Sequence, residues 1–289
     1  MGVFGLALPR GEGALLAAAG IACVLSSTAD AATPLAPHRA VYDMTLGTSR
    51  GGSSVTAVDG RLVYELTGSV CEGFTQTMRF VTRMGTQQGG TTINDLRSRT
   101  WENGDGTMFR FDSQTLRDEK LTESSVGEGA RDPANGGVKV ELSKPGKKTF
   151  ETPRRVSFPV QHSRQLIAAA KAGQTRLSAD LYDGSEQGEK IYDTIASIGA
   201  AIDPKRQSVV SGVTVEAPLD QMPAWPISIS YFEPGSEKSD AVPVYELSFW
   251  FYENGVSRRL KIDYGEFAIE GDLKRIEFLP PKPCTPARQ

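Results

Sequence analysis

Histidine is nearly missing from this chain: His38 and His162 are the only two in 289 residues. A zinc centre needs three or four His, Cys or carboxylate ligands, and the three cysteines, Cys23, Cys71 and Cys284, stand far apart. A resident metal is therefore not expected. No G-x-S-x-G surrounds any serine, which leaves a Ser–His–Asp triad without its usual nucleophile turn. Neither a Walker loop nor a G-x-G-x-x-G run is present, so the phosphate-cradling turns of nucleotide enzymes are missing. The net charge is −3, and no broad basic excess argues for a nucleic-acid partner. No repeat recurs at a fixed period. Beyond one N-terminal stretch there is no long apolar run, so no transmembrane segment is expected in the rest of the chain.

That stretch reads as a targeting segment. Arg10 supplies a weak positive region, Ala14 to Ser27 is apolar but short for a membrane-spanning helix, and Ala29-Asp30-Ala31 is an A-x-A site. Residues 1–31 are predicted to be a signal peptide cleaved after Ala31, leaving a single domain over 32–289 in an exported protein. Glu12 dilutes the positive charge. An alternative is lipidation at Cys23, although Gly20 stands where such sites usually carry Leu. Cleavage after Ala31 leaves Cys71 and Cys284, and two cysteines in an exported chain predict one disulfide. Closing so long a loop restricts the unfolded chain by roughly 4–5 kcal/mol.

The remaining pattern is β. Two apolar-rich runs, Val244–Phe251 and Val256–Tyr264, flank Asn254-Gly255, a pair suited to a two-residue type I′ turn. That turn sets Phe249 opposite Leu260, Leu247 opposite Ile262 and Tyr245 opposite Tyr264 on one face. Trp250 then lies opposite Arg259 on the other, a cation–π pair and a candidate surface contact; the plainer reading is that it covers a sheet face. Further strands are predicted on either side of an Asp59-Gly60 turn, while 118–136 is polar and weak. Asn103, Asp105, Gly106 and Asp112 resemble part of a calcium loop, but its first ligand position falls on Trp101, so a hairpin turn is expected instead. One helix is predicted over 161–172, with Leu166, Ile167 and Ala170 on its apolar face, His162 as a local polar cap and Gly173 as the stop. About fourteen short strands with one helix make an all-β domain, a barrel or a sandwich.

A sheet that curls on itself fills its interior with side chains or leaves a cavity. The first outcome suits a protein-binding module. The second suits a carrier of a lipid or another amphiphile. A third reading is a glycan or cell-wall hydrolase with paired carboxylates, but nothing in the sequence selects a pair.

Four stretches in order, YELTGSVCEGFTQTMRFVT (64–82), WENGDGTMFRFDS (101–113), LYDGSEQGEKIYDT (181–194) and VYELSFWFYENGVSRRLKIDYGEF (244–267), together with the late Cys284, resemble the periplasmic envelope-integrity protein B (EipB) family. The resemblance spans about His38 to Cys284. It implies a periplasmic, non-enzymatic protein with a β-spiral fold, a single open, barrel-like antiparallel sheet of about fourteen strands; a monomer is expected. It also implies a Cys71–Cys284 disulfide, a role in cell-envelope integrity and a periplasmic tetratricopeptide-repeat partner. It supplies no catalytic residues and no cofactor.

Overall fold

The computed structural model describes residues 35–152, 155–203, 214–215, 219–235, 241–281 and 284. The predicted signal peptide and its cleavage site lie outside the described residues, as does most of an expected strand over 208–217. Every described residue belongs to one compact unit, Thr33–Gln289.

Eight strands form a long meander: β1 (His38–Ser49), β2 (Val55–Ser69), β3 (Gly73–Thr86), β4 (Thr91–Glu102), β5 (Met108–Arg117), β6 (Lys120–Arg131), β7 (Val138–Lys144) and β8 (Lys148–Glu151). The helix α1 (Pro159–Lys171) follows. Then come β9 (Arg176–Leu181), β10 (Tyr192–Ile198), β11 (Thr214–Val215), β12 (Ala224–Phe232), β13 (Tyr245–Tyr252), β14 (Ser257–Asp263) and β15 (Phe267–Phe278). Fourteen of these strands make one antiparallel sheet in the order β8-β7-β6-β5-β4-β3-β2-β1-β15-β14-β13-β12-β10-β9, and β11 adds a short parallel pairing to β15. The sheet is not closed into a barrel. Its first and last strands in sequence meet at β1 and β15 in the middle, so the two free ends are β8 and β9.

Those ends overlap rather than pair. The connection between β9 and β10 lies against the inner face of β5–β7. Ser125 Oγ donates to Gly184 O at 2.9 Å, and the Gln187 amide donates to Glu123 Oε1 at 2.6 Å. Tyr182 meets Phe109, Phe111 and Phe150 edge-on. Gly184 sits where any Cβ would collide with the Phe111 ring. Here Phe109, Phe111, Val138, Val140, Leu142, Val156, Phe158, Tyr182 and Ile191 form a small core of their own.

A larger core surrounds α1. Val160, Leu166, Ile167, Ala169 and Ala170 pack with Leu66 and Phe74 on one side of the curl and with Ile227, Ile229, Phe249 and Phe251 on the other. The helix therefore plugs the interior. It ends as expected, with Gly173 at φ +71° and its amide donating to Ala170 O at 3.1 Å. Its start differs from expectation. His162 is no polar cap: its side chain is buried, and Nε2 has no hydrogen-bond partner. The cap is Glu102 from β4, whose two oxygens accept the amides of Val160 and Gln161, each at 2.9 Å. This satisfies two of the orphan donors at a helix start and places negative charge at the positive end of the dipole.

Three further sequence expectations are corrected. Asp59-Gly60 is not a turn: β2 runs straight through it, and Gly60 is needed because a Cβ there would strike the β3 backbone at Val81. The weak segment 118–136 contains a full strand, β6. Its alternation is hidden by Gly127 and Gly129, where a Cβ would come within 2.7 Å of Phe111 and 2.9 Å of Val138. The hairpin turn is not type I′. Gly255 donates to Tyr252 O and Tyr252 to Val256 O, both at 2.9 Å, and only Gly255 has a positive φ. This is a three-residue loop, a type I turn followed by a bulge glycine. It shifts pairing by one, so Trp250 pairs with Arg258 and not Arg259. A bulge at Arg259 (φ +54°) restores the register, and Leu247 pairs with Ile262 as expected.

Cys71 and Cys284 are joined by a disulfide, with Cα atoms 5.4 Å apart and a sequence separation of 213. It ties the β2–β3 turn to the chain end beyond β15.

Three outcomes follow. Cys71→Ser should cost about 2–5 kcal/mol and lower the Tm of the oxidised protein; an unchanged Tm would remove the stabilising role. Gly255→Val should cost about 2 kcal/mol or more, because it forces a β-branched residue to positive φ with its Cβ 2.7 Å from Leu35. A midpoint in urea equal to wild type would contradict the turn geometry. The third concerns pH. Burial raises the Glu102 carboxyl from 4.5 to about 7, against the opposing pull of the two helix amides, Arg164 and Arg131. Between pH 4.5 and 7 the native state holds a proton that the unfolded state has lost, so this group's contribution falls as pH rises. His162, lowered to about 4 by burial, has the opposite slope between pH 4 and 6.5. The stability of Glu102→Gln minus that of wild type should therefore climb from pH 4.5 to 7, and a flat difference curve in chemical denaturation would refute it.

Candidate functional site

Inward-facing positions follow directly from the cross-strand pairing. One row runs Ala40, Tyr64, Met78, Ser98, Ser113, Ser125 from β1 to β6. The next runs Tyr42, Leu62, Phe80, Leu96, Thr115, Glu123. Both share the face that carries Leu66 and Phe74 against the helix. Yet Leu62, Tyr64, Met78, Phe80 and Leu96 are only half-buried. Leu247, Leu260 and Ile262 on β13 and β14 are likewise inward and half-buried. A close-packed interior buries such side chains fully. Here α1 fills one end of the curl. Tyr64 and Leu247 sit at the margin of its core, and Leu62, Phe80 and Ile262 at the margin of a second core built on Ala40, Tyr42, Met44, Tyr252 and Ile269, each keeping part of its surface exposed.

The lining is apolar with a few fixed polar groups. Tyr64 accepts from Gln76 Nε2 at 2.8 Å, and its hydroxyl is pushed up to about 12 by burial. Gln76 Oε1 accepts in turn from Thr100 Oγ1 at 3.4 Å. His38 Nδ1 lies 2.7 Å from Ala36 O, and its ring is 5.6 Å from that of Tyr64. Burial lowers the His38 pKa, which favours a neutral ring. Apolar walls with a small number of oriented polar groups are the usual make-up of a small-molecule site.

The sequence-predicted surface pair is present in altered form. The Arg259 guanidinium stacks over Trp250 at 4.2 Å although the two are not register partners. The bulge turns Arg258 inward instead, where Nη1 donates to the Tyr252 hydroxyl at 3.2 Å. The outer face of β4–β8 carries a cleft of about 780 Å³ that includes Trp101, Arg110, Asp112, Glu128 and Lys148. Trp101 is already covered there. Arg110 lies 5.1 Å from the ring centre, a Cβ on Gly73 would come within 2.8 Å of the indole, and Nε1 donates to Glu72 O at 3.3 Å. The Asn103 region is a hairpin turn as expected, with the Thr107 and Met108 amides donating to Asn103 Oδ1 at 2.9 and 2.7 Å. Among the described residues no group of three or more His, Cys, Asp or Glu is placed to hold a metal ion, and no helix is long and apolar enough to cross a membrane.

Sequence reasoning placed Leu247, Leu260 and Ile262 on one face without revealing that this face is only partly covered. The alternation was readable; the extent of filling depends on where α1 lodges, which no local pattern encodes.

Comparison with known proteins agrees with this architecture. A family model described as EipB-like matches residues 29–280. The cell envelope integrity protein EipB of Brucella abortus (strain 2308) is 35% identical over 254 residues, covering 88% of each chain. The crystal structure of a β-barrel-like protein of a domain of unknown function, also from Brucella abortus, superposes with a TM-score of 0.78 at 32% identity, over 86% of this chain and all of the other. With an open sheet of fourteen antiparallel strands, a single helix in its curl and this extent of similarity, the chain belongs to the EipB-like family.

Proposed function

We propose that this protein serves cell-envelope integrity by binding, and that it holds an amphiphile against the partly exposed apolar side chains of its inner sheet face. Membership of the EipB-like family supports the envelope role. The observation that carries the binding reading is the set of inward apolar side chains on β2–β4, β13 and β14 that remain half-buried. Leaving several large apolar groups partly wet forgoes stabilisation of about 25 cal/mol for each Å² of surface not buried, and an apolar ligand would recover it. Export with cleavage after Ala31, a single chain as the working unit and assistance from a periplasmic repeat-protein partner belong to the same reading.

Fluorescence titration of the purified chain with N-phenyl-1-naphthylamine tests it. Wild type should bind saturably. Leu96→Asp adds a charge to the inner wall at a position already partly exposed, so it should weaken the probe at least tenfold while shifting Tm by only a few degrees. Absence of saturable binding by wild type, or an unchanged affinity in the variant, would overturn the proposal.

A further inference from the structure

The cleft of about 780 Å³ on the outer face of β4–β8 is separate from the apolar inner face. Its volume is within the range of small-ligand sites, and cross-strand register builds it. One outward row runs Trp101, Arg110, Glu128, Glu141 from β4 to β7, and the next runs Arg99, Asp112, Val126 from β4 to β6. These positions alternate with Phe109, Phe111, Val140 and Leu142, which belong to the small inner core. Beside Val126 the pairing of β6 with β7 shifts, and Ser143 is the extra residue. Such a bulge bends its strand and sharpens the local twist, and the cleft sits over it.

Most charges at the cleft already have partners. Arg110 pairs with Glu128 at 3.4 Å, Glu141 with Lys139 at 2.6 Å, and Lys148 with Glu189. Three charges do not. Arg99 and Lys147 are exposed cations and Asp112 is an exposed carboxylate. Among the described residues none of the three forms an ion pair, although Arg99 and Asp112 are register partners. The two cations line the cleft from opposite ends of its strand order, Arg99 on β4 and Lys147 on the β7–β8 turn. Trp101 offers no open ring face, since Arg110 and Gly73 lie against it, so recognition here falls to charge and hydrogen bonding.

We infer that this cleft binds an acidic saccharide, a sugar chain that carries carboxylates. A bare multivalent anion would meet Asp112, Glu128 and Glu141 together with the cations. A polyhydroxyl ring with one carboxylate uses both signs. Its carboxylate accepts from Lys147 and from Arg99, whose guanidinium suits a carboxylate in a two-bond geometry, while its hydroxyls donate to the cleft carboxylates. The site does not depend on the amphiphile reading.

The test is an NMR titration of the chain at about 0.15 M salt, where long-range surface charge is screened. Three probes are compared: trigalacturonate, its methyl ester, which keeps the ring hydroxyls without the charge, and inorganic triphosphate, which keeps charge without hydroxyls. Trigalacturonate should shift the Trp101 indole resonance saturably, leave those of Trp225 and Trp250 in place, and bind at least tenfold tighter than either other probe. Arg99→Gln and Lys147→Gln combined in one chain should weaken it at least tenfold with Tm unchanged, because both side chains are exposed and unpaired. Lys274→Gln removes the same charge from β15 and should change nothing. No saturable shift at Trp101, equal affinity for the ester or for triphosphate, undiminished binding in the double variant, or an equal loss in Lys274→Gln would each overturn the inference.

Discussion

Everything in this fold depends on how an open sheet covers its own ends. Fourteen antiparallel strands with two free edges would expose a long apolar inner face and unpaired backbone at β8 and β9, an invitation to aggregate. Instead of closing into a barrel, the chain lays the β9–β10 connection across β5–β7. Tyr182 enters among Phe109, Phe111 and Phe150, while Gly184 and Gly188 let the backbone approach Phe111. Ser157 bridges to Leu181 nearby, so the segment before α1 also supports the edge strand. Side-chain packing does here what a hydrogen-bond ladder does in a barrel.

One end of the curl is taken up by the helix, anchored by a carboxylate from β4 that lies 58 residues before Val160 in the chain. Arg131 reinforces that end: its guanidinium donates to Gly106 O, Gly136 O and Val156 O and lies 5.0 Å from the centre of the Phe158 ring. Rigid anchoring at one end allows apolar groups at the other to stay half-covered without collapse.

The β13–β14 hairpin shows how local chemistry and tertiary demand interact. Asn254-Gly255 marked the turn correctly, and the facing of Leu247 and Ile262 was legible. The turn type was not, because a type I turn with a bulge glycine and a two-residue type I′ turn share the same dipeptide. The one-residue difference is absorbed at Arg259, which leaves the cation–π contact with Trp250 in place and sends Arg258 inward to Tyr252. Likewise Asp59-Gly60 reads as a turn in isolation, yet β1 and β3 on either side hold β2 extended through it.

Fold class, the strand faces, the helix over its apolar stripe and the pairing of two late-remaining cysteines were all determined by the sequence itself. Each rests on an interaction of short range or on a count: alternation of period two, a 3.6-residue stripe ended by Gly173, and only two cysteines beyond the N-terminal segment. Tertiary structure alone decided three other matters: that Glu102 caps α1, that β6 pairs despite its glycines, and that the inner face of β2–β4 stays partly uncovered. Those outcomes arise from contacts between segments tens to hundreds of residues apart, where the identity of a side chain says which partners it tolerates but not which one reaches it.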